Sequence, residues 1–207
     1  ENWIGMQRFV FEGISSQAPF GRAEPRYVYS NSSYWYPQST VHDYATAVMN
    51  LTVPADYGVV ASGVPNAGNP LARTEPRETA TRRYAFVTPQ PVRYLSSLIS
   101  RFAAGEAESR EVVLESDVAA SAVMRAGVSY DSLSLTVESN ERSKNRTADF
   151  YDKSADVLHF YASLVGDIPY PAFTLTLTDA LLPGGHSPAY FAVLNQELPR
   201  HPGLAIS

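Results

Sequence analysis

Residues 147–178 read TADFYDKSADVLHFYASLVGDIPYPAFTLTLT, and this stretch decides the fold class. Its first part places Phe150, Ser154, Val157, Leu158, Tyr161, Leu164 and Val165 at intervals of three and four, the spacing that lines one face of an α-helix. Asn145 or Thr147 is positioned to cap the start and Gly166 to end it, giving a rod of about 28 Å at 1.5 Å per residue. Pro169 and Pro171 bar its continuation, because proline lacks the amide proton and clashes with the preceding turn. Phe173, Leu175 and Leu177 then alternate with Thr174, Thr176 and Thr178, the period of a half-buried strand.

Upstream of the helix the period is that of strands. Leu133, Leu135 and Val137 alternate with Ser134 and Thr136, and the polar run Ser139 to Arg146 that follows is the predicted domain boundary. Ala103 to Gly127 is ambiguous between strand and helix, with Arg110 to Glu115 read as strand. Ala47, Met49, Leu51 and Val53 face one way against Thr46, Asn50 and Thr52, and a turn at residues 54–58 leads to Val59-Val60-Ala61, which predicts a hairpin. Pro65, Gly68, Pro70 and Pro76 make residues 63–81 an exposed loop. Arg83 to Thr88 and Val92 to Phe102 are expected as two strands separated by a bend at Pro89-Gln90-Pro91.

Composition agrees with a β-rich globular chain. In 207 residues, 44% are hydrophobic and 18% charged, and 15 Pro, 12 Gly and 13 Tyr indicate many short segments joined by turns. Sixteen basic residues against 21 acidic ones give a net charge of -5 and no electrostatic footprint for nucleic acid. The absence of Cys excludes disulfides, thiolate metal sites and a Cys nucleophile together. No window is long and apolar enough for a helical membrane span, so no membrane partner is expected, and the compartment stays open with secreted or periplasmic placement ahead of cytoplasmic. Three sequons, at Asn31, Asn50 and Asn145, read as chance occurrences.

The run Leu158, Phe160, Tyr161, Gly166, Ile168, Pro169, Tyr170 and Pro171 resembles the opening of the catalytic domain in the alanyl-aminopeptidase (aminopeptidase N) family of gluzincin zinc metallopeptidases, with Asp167 as an extra residue. That family then runs a strand into a Gly-x-Met-Glu-Asn loop. Here Thr174 to Thr178 leads to Gly184-Gly185-His186-Ser187-Pro188. Tyr34-Trp35-Tyr36-Pro37, the turn Val53-Pro54 with Tyr57, and the segment from Pro91 to Phe102 look like parts of the family's amino-terminal β domain.

The resemblance implies an α+β chain. A mostly antiparallel, sandwich- or saddle-like amino-terminal β domain over residues 1–139 would be followed, over 140–207, by a helix and strands that begin a thermolysin-like domain truncated before the zinc helix. It implies a peptide as substrate of a full-length parent, with Gly184, Gly185, His186, Ser187, Pro188 and Tyr190 at the substrate, and self-association through an exposed helix face. It also implies zinc for the parent and no cofactor for this chain. His42, His159, His186 and His201 lack the i+4 partner of a His-Glu-x-x-His helix, so no catalytic residues are assigned here. Ser187 stands where the family places the Glu that holds a free amino terminus. The competing reading is a stand-alone β-rich binding or scaffold module without enzymatic activity.

Three further candidates are weak on their residues. His159 shares its side of the helix with Asp152, Asp156 and Ser163, as a solvated imidazole does. His42-Asp43 has no strand–turn nucleophile motif to complete a triad. Tyr27, Tyr29, Tyr34, Trp35 and Tyr36 could offer stacking faces for a sugar or peptide, although such aromatics more often fill a sheet core.

Overall fold

The computed structural model describes residues 26–29, 35–37, 44–67, 69–73, 80–103, 108–113, 132–165, 168–178 and 186–194. They are mostly antiparallel sheet with one long helix, an α+β arrangement. The described residues fall into two compact units, one up to Phe102 together with Ser187–Phe191, the other from Ala103 to His186 and from Ala192 onward. No helix among the described residues is long and apolar enough to cross a membrane.

The first unit holds β1 (Arg26–Tyr29), β2 (Ala45–Pro54), β3 (Gly58–Ala61), β4 (Val64–Pro65), β5 (Leu71–Arg73), β6 (Thr81–Val92) and β7 (Ser97–Ser100). They form two sheets, β1-β7-β3 and β2-β6-β4, with β5 also on β6. Met49, Val53, Val59, Ala61, Tyr84 and Phe86 build a core with contributions from both sheets, as in a sandwich. Trp35 packs against that core and lies beside Tyr29 and Tyr36, with ring centroids 6.1 and 5.1 Å away. This part of the aromatic cluster therefore serves packing; Tyr34 lies outside the described residues.

The expected hairpin between β2 and β3 does not form. β2 pairs with β6 and β3 with β7. The reason lies in burial: β2 keeps one face to solvent, whereas Val59, Val60 and Ala61 are buried in succession and need cover on both faces. The turn closed by the Tyr57 amide donating to the Pro54 carbonyl at 2.9 Å thus carries the chain from one sheet to the other.

β6 also departs from expectation, because it runs unbroken through Pro89 and Pro91. Its register with β2 passes from Ala47↔Thr88 to Ala45↔Val92, so the two prolines sit in an irregularity where no ladder donor is required. β7 is correspondingly confined to Ser97–Ser100. Part of the predicted loop at 63–81 is strand instead, since β4 and β5 both pair with β6. Between them the Asn69 carboxamide replaces a strand: its Nδ2 donates to the Ala85 carbonyl at 2.7 Å and its Oδ1 accepts from the Ala85 amide at 2.9 Å.

Gly63 makes this arrangement possible, with φ at 115° and the Val87 carbonyl oxygen 2.7 Å from where a Cβ would stand. Both the dihedral and the contact exclude a side chain. Gly63→Ala is expected to lower stability by about 2 kcal/mol, the scale of a strained backbone position. Equilibrium urea unfolding checks this, and an unchanged midpoint would remove the role given to the close approach.

The second unit holds β8 (Glu108–Val113), β9 (Ser132–Ser139), α1 (Thr147–Val165), β10 (Ala172–Leu177) and, from Ala192 onward, β11 (Phe191–Leu194), in the sheet order β11-β10-β9-β8. β8 is antiparallel to β9, and β9 is parallel to β10. Parallel neighbours require a crossover, and α1 supplies it. β8 and β9 share a sheet with β10 and not with the strands of the amino-terminal sandwich. The link at 139–146 is a tied turn within the unit. The Asn140 amide donates to the Leu177 carbonyl at 3.4 Å, and its Oδ1 accepts from the Ser143 amide at 3.0 Å. A single 3-10 turn, Lys144–Arg146, then leads into α1. Asn145 lies inside that turn, and the Thr147 hydroxyl donates back to the Lys144 carbonyl at 2.9 Å, so the cap expected from their side chains is replaced.

The core of this unit is Val112, Leu133, Leu135, Val137, Leu175 and Leu177 from the sheet against Phe150, Tyr151 and Ala162 from α1, joined by Ile168 and Leu194. Ser154 is also buried and satisfies its hydroxyl by donating to the Phe150 carbonyl at 2.6 Å. The helix is rotated relative to the face expected from its spacing. Ala155 and Leu158 pack inward with Phe150 and Tyr151, while Tyr161, Leu164 and Val165 are exposed together with Phe160. Arg110 on β8 explains part of the setting, since its guanidinium lies 4.6 Å over the Tyr151 ring and 3.7 Å from Asp152.

Candidate functional site

The segment singled out by its glycines follows β10. Gly184 and Gly185 lie outside the described residues, whereas His186, Ser187, Pro188 and Tyr190 are described. Thr178, just past β10, donates its amide to the Leu194 carbonyl at 3.0 Å and its hydroxyl to the same oxygen at 3.3 Å. On the neighbouring residue of β11, the Val193 amide donates to the His186 carbonyl at 2.8 Å and the His186 amide donates to the Val193 carbonyl at 3.4 Å. Alternate residues of a strand direct their backbone groups to opposite sides. β11 is therefore bonded on one side to the end of β10 and on the other to His186, through an isolated antiparallel bridge.

Between His186 and β11 the chain turns through Ala189 and Tyr190. Tyr190 has φ at 75°, a left-handed conformation that is uncommon for a bulky residue, and its ring is almost completely buried. Burial of a large aromatic ring offsets the roughly 1–2 kcal/mol that this backbone region costs a residue with a Cβ. Ser187 is exposed and Pro188 half-buried. His186 is half-buried, and removal from water pushes its imidazole below the ordinary value, which favours the neutral ring. Neutral His186 and exposed Ser187 together offer hydrogen-bonding groups without a fixed charge.

His159 is exposed on α1, as its spacing indicated. His42 and His201 lie outside the described residues. Among the described residues no three His, Cys, Asp or Glu side chains come together in a way that could hold a metal ion, so they do not fit a zinc site.

A second polar group was not singled out from the sequence. Glu138 on β9 and Thr176 on β10 are register partners in the parallel ladder and so share the sheet face opposite Leu135 and Leu175. Thr176 is fully buried, and its hydroxyl has no hydrogen-bond partner among the described residues. Burial raises the Glu138 carboxyl to about 7. Alternation alone marks these residues as solvated, and the only signal against that was the density of Thr174, Thr176 and Thr178 along one face.

No family model matches the chain, and no curated protein matches it either.

Proposed function

We propose that this chain is the non-catalytic amino-terminal portion of a zinc metallopeptidase of the aminopeptidase type, contributing the β domain and one wall of the substrate cleft. The observation that carries the reading is the antiparallel bridge between His186 and Val193, on the side of β11 away from β10. With His186 turned toward β11, backbone alternation leaves the groups of Ser187 for an extended peptide to pair with, the mode of strand addition. The order helix, Pro-rich turn, strand and Gly-rich segment supports the same reading. The metal and the general base belong to a longer parent chain.

Two results are expected. The isolated chain holds no stoichiometric zinc and hydrolyses no aminoacyl or peptide substrate, because a catalytic zinc ordinarily has three protein ligands. Metal analysis finding one tightly held zinc per chain, lost on changing a specific His, would count against it. In the full-length protein, Ser187 and neutral His186 supply no fixed negative charge to a protonated amine, so amino-blocked peptides should be cleaved at least as well as free ones. Ser187→Glu should shift preference toward free amino termini by about tenfold, the scale of one charge-assisted hydrogen bond. A strong native preference for free amino termini that no change in this segment alters would remove the segment from the substrate site. A parent reading frame without a His-Glu-x-x-His helix would favour the binding or scaffold module.

A further inference from the structure

Glu138 carries a carboxyl for which none of the described residues provides a hydrogen bond or an ion pair. Its register partner Thr176 carries a hydroxyl that is fully buried and unpaired among the described residues. Side chains on register partners of neighbouring strands stand about 5 Å apart at Cβ. A buried hydroxyl without a partner is uncommon in a folded protein and calls for an explanation. Elsewhere on this face the Thr136 hydroxyl donates to Ser109 at 3.1 Å, and the Ser132 hydroxyl donates to Glu111. Thr176 differs from these in being fully buried without a partner among the described residues.

We infer that Glu138 and Thr176 form a receptor for a primary ammonium group, from an amine, a lysine side chain or a peptide amino end. The chemistry selects this ligand. An ammonium has three donors and no acceptor, and here a carboxylate and a hydroxyl oxygen are both able to accept. Hard divalent cations need more oxygen ligands than one carboxylate and one hydroxyl supply. An anion would meet the carboxylate unfavourably. Glu138 gains the counter-charge that stabilises its ionised form, and Thr176 gains the partner its hydroxyl lacks. The inference does not rest on the peptidase reading, since both residues belong to β9 and β10 and neither to the segment at 184–190.

The test is a titration of the whole 207-residue chain at pH 8 with butylammonium chloride, followed by the backbone amide shifts of β9 and β10 in NMR spectra. Sodium chloride and 1-butanol serve as charge and shape controls. Saturable shifts are expected with butylammonium and not with either control. Glu138→Gln should weaken binding at least about tenfold, Thr176→Val by about fivefold, and Thr176→Ser should recover most of the loss, as expected of single charge-assisted hydrogen bonds. The Gln variant keeps the side-chain shape, so loss of binding is separable from loss of folding in the same spectra. Alaninamide and acetyl-lysine amide distinguish a peptide amino end from a lysine side chain by which binds more tightly. A response to butylammonium no different from that to sodium chloride, or an affinity unchanged by Glu138→Gln, would overturn the assignment.

Discussion

Phe150→Ala is expected to destabilise the chain by roughly 3–5 kcal/mol, the range for removing a fully buried aromatic ring. The ring is inaccessible to water and belongs to the core that α1 shares with β8, β9 and β10. Its loss removes apolar burial and leaves a cavity that the surrounding Leu and Val side chains fill only in part. Tyr161→Ala on the same helix should change stability by less than about 1 kcal/mol, because that side chain is 45% exposed. The pair tests the rotational setting of α1, since the sequence pattern alone assigns both residues to one buried face. Equal effects in urea unfolding would place Tyr161 in the core and reject the observed setting.

Glu138→Gln should stabilise the chain at pH 8 and leave it nearly unchanged at pH 4. The folded state holds the Glu138 proton up to about 7, whereas an unfolded carboxyl releases it near 4.5. A folded value above the unfolded one means that stability is fully present below about 4.5 and is lost as pH rises through 7. The ceiling on that loss is about 3 kcal/mol at 1.36 kcal/mol per pH unit, and water reaching the half-buried carboxyl reduces it. Glutamine has the same shape and no proton to lose, so its stability curve should be flat across this window. Urea midpoints of both proteins between pH 4 and 8 provide the measurement. Parallel curves would show that the carboxyl is solvated and would remove the basis for the ammonium receptor as well.

Much of this fold is legible along the chain where one period dominates. α1 occupies Thr147–Val165, as the three- and four-residue spacing and the following prolines indicated. β9 and β10 follow their alternation, with Leu133, Leu135, Val137, Leu175 and Leu177 buried. β8 is a strand, as the apolar run around Val112 suggested. These elements are set by local chemistry, which a window of ten or so residues contains.

Partner choice is not local. Nothing near Val59 states that β3 will pair with β7 in place of β2. That choice follows from burial on both faces, which only the assembled sandwich creates. Pro89 and Pro91 look like a strand break until the register with β2 slips around them. Asn69 reads as a loop residue, although its carboxamide completes the pairing of Ala85 from outside the strand.

The candidate sites divide in the same way. The sequence by itself determined that Gly184-Gly185-His186-Ser187-Pro188 carries neither a carboxylate nor a cysteine, because side-chain chemistry is fixed by residue identity. It also determined the helix and the faces of β9 and β10, because a period is a property of neighbouring residues. Only the tertiary structure decided that His186 bonds the outer side of β11, that Glu138 and Thr176 are register partners, and that Thr176 is withdrawn from water. Each of these depends on contacts between residues far apart in the chain. Such contacts form when the loss of chain entropy in closing the intervening loops is offset by apolar burial summed over the whole unit.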